Sequence, residues 1–479
     1  MPTPTHFVSQ SATNGFALGV NSGSGNSRAA PWLTLDYAVA NAPSGSVIEV
    51  NDGIYSSATW LDIATKTMTV FASNRRQVIV RGSSTARVVN FASTSTNRTL
   101  LLRGVILDGQ GSCDRGVTIG ASLSTATLGV TLYDCSIINC DTSMVYSDLQ
   151  KALNLTIERC DMSGTTSAYG IDIRAHESGD VVIDGLNITG TATSTSIKRL
   201  VWMNSVAGGS SFRASRVVGA YTSAAVSGSM QGIYVENVND AIIENCAIDV
   251  RNTNASASAI VVVSTTATYS ANNAVIRGNT TYTSGTSGHG VLAGAEGTTA
   301  GNNNHNNANI YGNMISGAPA MSVMHGVMLG WGTGGDVHGN TLLDCGLATI
   351  AKEQIGGVFH DNIIHRAKSE ALRAKGATGS KWENNTVYVS AGNAGDCMNV
   401  TENDAPSNTV ASAIEFNGNT FFIDATPTGI TEVNVGSSAA FTGNTYVIDA
   451  ALGADPWKYQ GTAYQTLAAW KAVEPTALP

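Results

Sequence analysis

One short pattern recurs along most of this chain and restricts it to few architectures. Two or three β-forming residues precede a polar pair, then a small or amide residue, and then β-formers resume. It reads Leu132-Tyr133-Asp134-Cys135, Ile157-Glu158-Arg159-Cys160 and Ile183-Asp184-Gly185-Leu186. After a poorer copy near Val217 come Ile243-Glu244-Asn245-Cys246, Ile276-Arg277-Gly278-Asn279 and Ile310-Tyr311-Gly312-Asn313. The series continues with Val337-His338-Gly339-Asn340, Phe359-His360-Asp361-Asn362 and Trp382-Glu383-Asn384-Asn385, and closes with Phe416-Asn417-Gly418-Asn419 and Phe441-Thr442-Gly443-Asn444. Apart from the gap that the poorer copy spans, the last residues of successive copies lie 22 to 34 apart. Strands this short, without helical stretches between them, predict an all-β chain wound as a single-stranded parallel β-helix. Identical positions then stack about 4.8 Å apart, and the recurring Asn or Cys forms an internal ladder at a turn.

This reading assigns residues 1–479 to one solenoid domain: an N-terminal strand and cap over 1–60, coils over 61–450, and a C-terminal cap over 451–479. Trp32 to Asn41 has helical periodicity through Trp32, Leu35 and Val39 and is expected to close the first coil. Trp457, Tyr459, Tyr464, Leu467 and Trp470 give the far end an aromatic lid with a short helix. Solenoids need such lids because a terminal coil is an unpaired sheet edge.

Composition then removes whole classes of function. Only 26 of 479 residues are Lys or Arg and the net charge is −9; a broad nucleic-acid or anionic-membrane footprint is disfavoured. The 43% of hydrophobic residues suffices for a sizeable core. No apolar run reaches the roughly 18 residues of a membrane span. Met1 to Ala12 has no signal-peptide core, so the expected location is extracellular or virion-associated by another route. Seven cysteines without CxxC spacing or a Cys/His cluster read as packed thiols, not as zinc ligands or a disulfide framework.

The two ends carry a family resemblance. His6-Phe7-Val8-Ser9, Pro31-Trp32-Leu33-Thr34-Leu35-Asp36-Tyr37-Ala38, Pro43-Ser44-Gly45-Ser46-Val47-Ile48-Glu49-Val50 and Gly53-Ile54-Tyr55 resemble the opening of right-handed parallel β-helix proteins. These form the pectate-lyase-like superfamily, with its polysaccharide lyases, glycoside hydrolases and phage tail-spike depolymerases. Tyr459-Gln460-Gly461-Thr462-Ala463-Tyr464-Gln465-Thr466-Leu467-Ala468-Ala469-Trp470 is similar to the closing segment of many members. The resemblance implies a right-handed coil and a polysaccharide partner. It is specific for fold and weak for reaction, since one fold hosts many chemistries.

Each repeat is preceded by a second strand whose alternation separates inward from outward side chains. In Gly170-Ile171-Asp172-Ile173-Arg174, Asp172 and Arg174 point out. The outward pairs along the chain are Tyr146/Asp148, Asp172/Arg174, Trp202/Asn204, Tyr234/Glu236, Val261/Val263, Leu292/Gly294, Met328/Gly330, Ile350/Lys352, Arg373/Lys375 and Asn399/Thr401. Two polar regions thus flank a blander middle, a stripe suited to an extended polymer.

The later polar region is basic. Residues 352–381 hold Lys352, Arg366, Lys368, Arg373, Lys375 and Lys381 against Glu353, Asp361 and Glu370. The repeat stacks Lys352 and Lys375 on adjacent coils with Arg373 diagonal to Lys352. Like-charged neighbours disfavour one another's protonation, which suits a lysine for general-base work. Arg373 is placed to neutralise a uronate carboxylate and stabilise an enolate-like charge. These are the parts of β-elimination, with Lys352 or Lys375 as base and His325, Trp331, Arg366 and Asn399 as candidate substrate contacts; the alternative is a solvated basic strip in which Glu353 and Glu370 pair nearby cations. The separation of Lys352 and Arg373 resembles that in the chondroitinase-B and alginate-lyase family, where a Lys base and an Arg sit on neighbouring coils. That likeness also raises calcium as a ligand, although its Asn/Glu ligands are not placed here. Glu353 and Ala374 depart from the Ser and His that follow the Lys and Arg in that family.

The earlier polar region is acidic and aromatic. Asp148 and Asp172, expected about 8 Å apart from strand geometry, fall in the range for inverting glycoside hydrolysis. Arg174, Trp202, Tyr234 and Glu236 would contact the sugar there, and His176 and Glu177, which follow directly, are candidates for the acid role; the alternative is that Asp172 pairs with Arg174 or Arg199. His289 and His325 occupy matching places and read as stacked turn histidines. The sequence therefore supports three functions: a lyase acting on an anionic polysaccharide, a glycoside hydrolase, or a non-catalytic glycan-binding spike. A monomer and a homotrimer are both compatible with it.

Overall fold

The computed structural model describes residues 2–473, apart from 58, 64–65, 83–85, 93–94, 121–123, 148–149, 166–168, 193–197, 207–208, 222–227, 253–254, 266–270, 296–304, 319–323, 390–395, 403–408, 425–428, 435 and 450–455. The chain divides into two compact units, Met1–Val226 and Ser227–Pro479. Each is a stack of short strands paired in parallel with the coil before and the coil after, and the architecture is a right-handed parallel β-helix.

The first unit opens with His6–Val8 against Ser46–Val50. The helix runs over Leu35–Asn41, three residues shorter than the periodicity suggests, because the Thr34 side chain caps it by accepting from the Tyr37 backbone N–H. Trp32 instead bridges to Val8 and stacks on His6, ring centroids 4.9 Å apart. Leu35 and Val39 are buried as expected, and Ala38 with them.

The repeat has a backbone cause. The residue before each ladder position sits in the left-handed region, with φ between 52° and 65° at Asp134, Arg159, Gly185, Asn245, Gly278, Gly312, Gly339, Asp361, Asn384, Gly418 and Gly443. Gly, Asn and Asp dominate this place because other residues tolerate such φ poorly. The poorer copy resolves to Phe212-Arg213-Ala214-Ser215, with Ala214 left-handed (φ 44°) and Ser215 buried in the ladder position.

In the second unit the ladder is a buried chain of amides. Asn279, Asn313, Asn340, Asn362, Asn385, Asn419 and Asn444 each lie at most 2% exposed. Asn340 is typical: its Nδ2 donates to Ile310 O (2.9 Å) and to Asn362 Oδ1 (3.0 Å), and its Oδ1 accepts from the N–H and Nδ2 of Asn313. All four hydrogen-bonding valences are filled, as burial requires. Cysteines in the first unit reach the same kind of partner: Cys160 Sγ–H donates to Leu132 O at 3.4 Å. All seven cysteines are buried free thiols.

Beside the amides, Phe359, Trp382, Phe416 and Phe441 stack at centroid spacings of 4.8 to 5.1 Å. Trp470, on the closing helix Leu467–Val473, meets Phe441 edge-on at 5.3 Å and is fully buried. The aromatic lid thus continues the core column. No helix among the described residues is long and apolar enough to cross a membrane.

Candidate functional site

In the second unit, one sheet presents the basic residues together. It is built from Gly288–Ala295, Met324–Gly330, Leu347–Lys352, Glu370–Lys375, Asp396–Thr401 and Gly429–Val433, paired in that order. One row runs Leu292, Met328, Ile350, Arg373, Asn399, Glu432; alternation alone would put all of it on the outer face, but Leu292, Met328, Ile350 and Asn399 are buried. The parallel row two residues on runs Gly294, Gly330, Lys352, Lys375, Thr401. Lys352 and Lys375 are therefore direct cross-strand neighbours, and Arg373 lies on the same strand as Lys375, two residues back.

Each cation is held differently. The Lys352 ammonium sits 4.2 Å from the ring centroid of Trp331. That indole is turned back by a left-handed residue (φ 47°) whose N–H donates to Lys352 O at 2.8 Å. Arg373 pairs with Glu370 at 2.8 Å. Its Nε is buried without a hydrogen-bond partner, and so are Asn399 Oδ1, Thr401 Oγ1 and His325 Nδ1. Orphaned buried polar atoms are rare in native proteins, and these four gather on one face. A ligand with both donors and acceptors would satisfy them.

His289 and His325 are register partners with rings 4.7 Å apart. Burial, then Lys352, pushes His289 down to about 4. Burial, then His289, Arg373, Lys352 and Lys375, holds His325 well below the ordinary imidazole value. Both imidazoles are neutral at neutral pH, and His325 borders the cations.

Sequence reasoning passed over two carboxyls, Asp396 and Glu432. Asp396 donates to or accepts from Glu432, and accepts from Asn399 Nδ2 at 3.1 Å. Burial, the Glu432 hydrogen bond and nearby acidic charge raise Asp396 to about 7. Burial also raises Glu370, against the pull of Arg373. Strict alternation would send Glu370 inward with Leu372 and Ala374. The residue instead stands at the bend where the strand begins, so its carboxylate reaches Arg373. Glu432 lies one coil beyond the last recognised window; extending the 373–399 alignment by one repeat would have found it. Among the described residues, no group of three or more His, Cys, Asp or Glu is arranged to hold a metal ion.

Arg366 does not join this face. It forks onto Asp344 at 2.8 and 2.6 Å beyond the separate strand Ile363–His365, lowering the Asp344 pKa. Tyr234 is buried, and Glu236 accepts from Thr265 Oγ1 at 2.7 Å.

In the first unit, Tyr146, Asp172 and Trp202 align across three coils, and Arg174 aligns with Asn204. Asp172 is 1% exposed, and both of its oxygens accept from Arg174 at 2.6 Å. Burial opposes the Arg174 charge, but the Asp172 bonds outweigh it and raise its pKa. The guanidinium lies 4.3 Å from the Trp202 ring centroid and 5.8 Å from that of Tyr146. Asp172 is thus a closed ion-pair partner, not a carboxylate open to a sugar. Asp148 lies outside the described residues.

No protein-family model matches the chain, and no curated protein matches it in sequence. Solved structures share its fold at low identity. Tailspike protein 3 of bacteriophage CBA120 is 12% identical with a TM-score of 0.42, covering 87% of this chain; the match spans 58% of the tailspike. The periplasmic alginate epimerase AlgG is 10% identical with a TM-score of 0.34, over 87% of this chain and 84% of the epimerase. The catalytic unit of a GH87 α-1,3-glucanase from Streptomyces thermodiastaticus is 15% identical with a TM-score of 0.33, over 90% and 67%.

Proposed function

We propose that this protein cleaves an anionic, uronate-containing polysaccharide by β-elimination at the Lys352–Arg373–Lys375 face. The observation that carries this reading is the shared register, which puts Lys352 beside Lys375 and Arg373 beside Asn399. Arg373 Nε, buried and without a partner, donates to the uronate carboxylate and stabilises the charge that develops there. Lys352 is engaged as a cation on Trp331, so the base role falls to Lys375. Its amine removes the proton α to the carboxylate, that electron pair forms the new C=C bond, and the C–O bond to the next sugar breaks. The departing oxygen takes up a proton from water, and the Lys375 ammonium returns the proton it gained to water.

Hydrolysis by paired carboxylates has weaker support. Asp396 and Glu432 are hydrogen-bonded to each other, closer than the roughly 5 to 9.5 Å between the carboxyls of glycosidases. Asp172 is sealed against Arg174.

Elimination leaves an unsaturated, ultraviolet-absorbing end, whereas hydrolysis leaves only reducing ends. A panel of acidic polysaccharides followed by absorbance and product mass therefore tests the reading. Lys375→Ala is expected to abolish absorbance growth, and Arg373→Ala to slow it at least about 100-fold. New reducing ends without absorbance would overturn elimination. Binding without any cleavage across the panel would favour a glycan-gripping spike.

A further inference from the structure

We propose that the first unit carries a separate oxyanion site centred on Arg87 and Arg115, and that it takes the carboxylate of an acidic sugar. The sugar as source rests on the function proposed above; the oxyanion chemistry does not.

Arg87 and Arg115 are direct register partners on the adjacent strands Arg87–Phe91 and Val105–Ile119. Their backbones are therefore about 4.8 Å apart. Both Nε atoms are buried and make no hydrogen bond. The Arg87 side chain donates from Nη1 to Asn90 Oδ1 at 2.8 Å. Arg115 makes no ion pair with any described residue. Burial, then the Arg115 charge, lowers the Arg87 pKa despite Asp62 nearby. Two like charges are thus held together, partly desolvated and, among the described residues, without a carboxylate paired to either, an arrangement that costs free energy until an anion arrives.

Aromatic rings fix the two groups in place. The Arg115 guanidinium lies 3.6 Å from the Tyr146 ring centroid, and that of Arg87 lies 5.1 Å from the Trp60 centroid. A guanidinium held over a ring keeps its charge and its fork of N–H donors, to which a planar carboxylate binds bidentately. Arg174 provides the contrast within the same unit: it too lies on aromatic rings, but Asp172 already fills its fork.

The test is calorimetric titration of the full chain carrying Lys375→Ala, to prevent turnover, with short oligogalacturonates and oligomannuronates. Inorganic sulfate and a neutral oligosaccharide are run beside them. Two classes of oligouronate binding are expected. Arg115→Met, which keeps the volume over Tyr146, should weaken one class at least tenfold and leave the other intact; Arg373→Met should do the reverse. Arg115→Lys, which keeps charge but loses the fork, should weaken the first class several-fold and serves if the Met variant does not fold. Loss of only the Arg373-dependent class would sink the cleavage site and spare this one. Sulfate binding as tightly as an oligouronate would overturn the sugar source. Anion binding indifferent to both Arg115 variants would overturn the site.

Discussion

Asp396 holds its proton to about pH 7 because burial and the Glu432 carboxyl both oppose its charge. The folded chain binds that proton more tightly than the unfolded chain, whose Asp titrates near 4. The resulting stabilisation is complete below about pH 4 and disappears as pH rises through about 7. Asp396→Asn removes the second charge and keeps a donor for Glu432. Its melting temperature should exceed the parent's by a few degrees above pH 8 and show no gain at pH 5. A melting curve series across that range checks this; an equal gain at every pH would refute it. At this scale the sequence was legible wherever alternation applied: Ile350 with Arg373, Lys352 with Lys375, and Tyr146 with Asp172 and Trp202 all pair as the repeat implies. It was not legible where partners come from outside the pattern. Asp172 closed by Arg174, and Glu370 on a nearby cation, were both readable as alternatives, but spacing alone did not decide between them and an open site.

The element that most depends on one side chain is the asparagine spine. Asn362 Oδ1 accepts from the N–H and Nδ2 of Asn340, and its Nδ2 donates to Val337 O and Asn385 Oδ1. Asn362→Leu would leave several buried groups unpaired and should cost about 3–5 kcal/mol in denaturant unfolding. Asn362→Cys should cost less, because a thiol in this place can donate to the carbonyl of the coil before, as Cys160 does to Leu132. If the two substitutions destabilise equally, the hydrogen-bond account of the spine fails. The spine could be read from sequence because each amide follows a residue suited to positive φ, so composition and conformation point to the same turn. Helix ends were less legible, since one cap at Thr34 moved the boundary inward from Trp32.

For the molecule as a whole, the net charge of −9 opposes the approach of an acidic polymer, whereas the Lys352–Arg373–Lys375 face attracts it at close range. Raising salt from about 0.05 to about 0.5 M shortens the screening length from roughly 14 to 4 Å. The KM for an acidic polymer should then rise several-fold, with no change for a neutral one. A KM that falls with salt would mean that the global charge outweighs the local face. The parallel coil and its lids were foreseeable because they follow from a repeat and its ends, and the right hand was implied only by the family resemblance; the reaction was not foreseeable, since it depends on a handful of side chains borrowed from several turns. The amide spine has one more implication. Every asparagine addresses its neighbour in the same manner, so a complete turn excised or duplicated between two of them leaves identical junctions on both sides. Growth and shrinkage by entire turns is therefore open to this protein, whereas gaining or losing a fraction of one would throw every later side chain out of step.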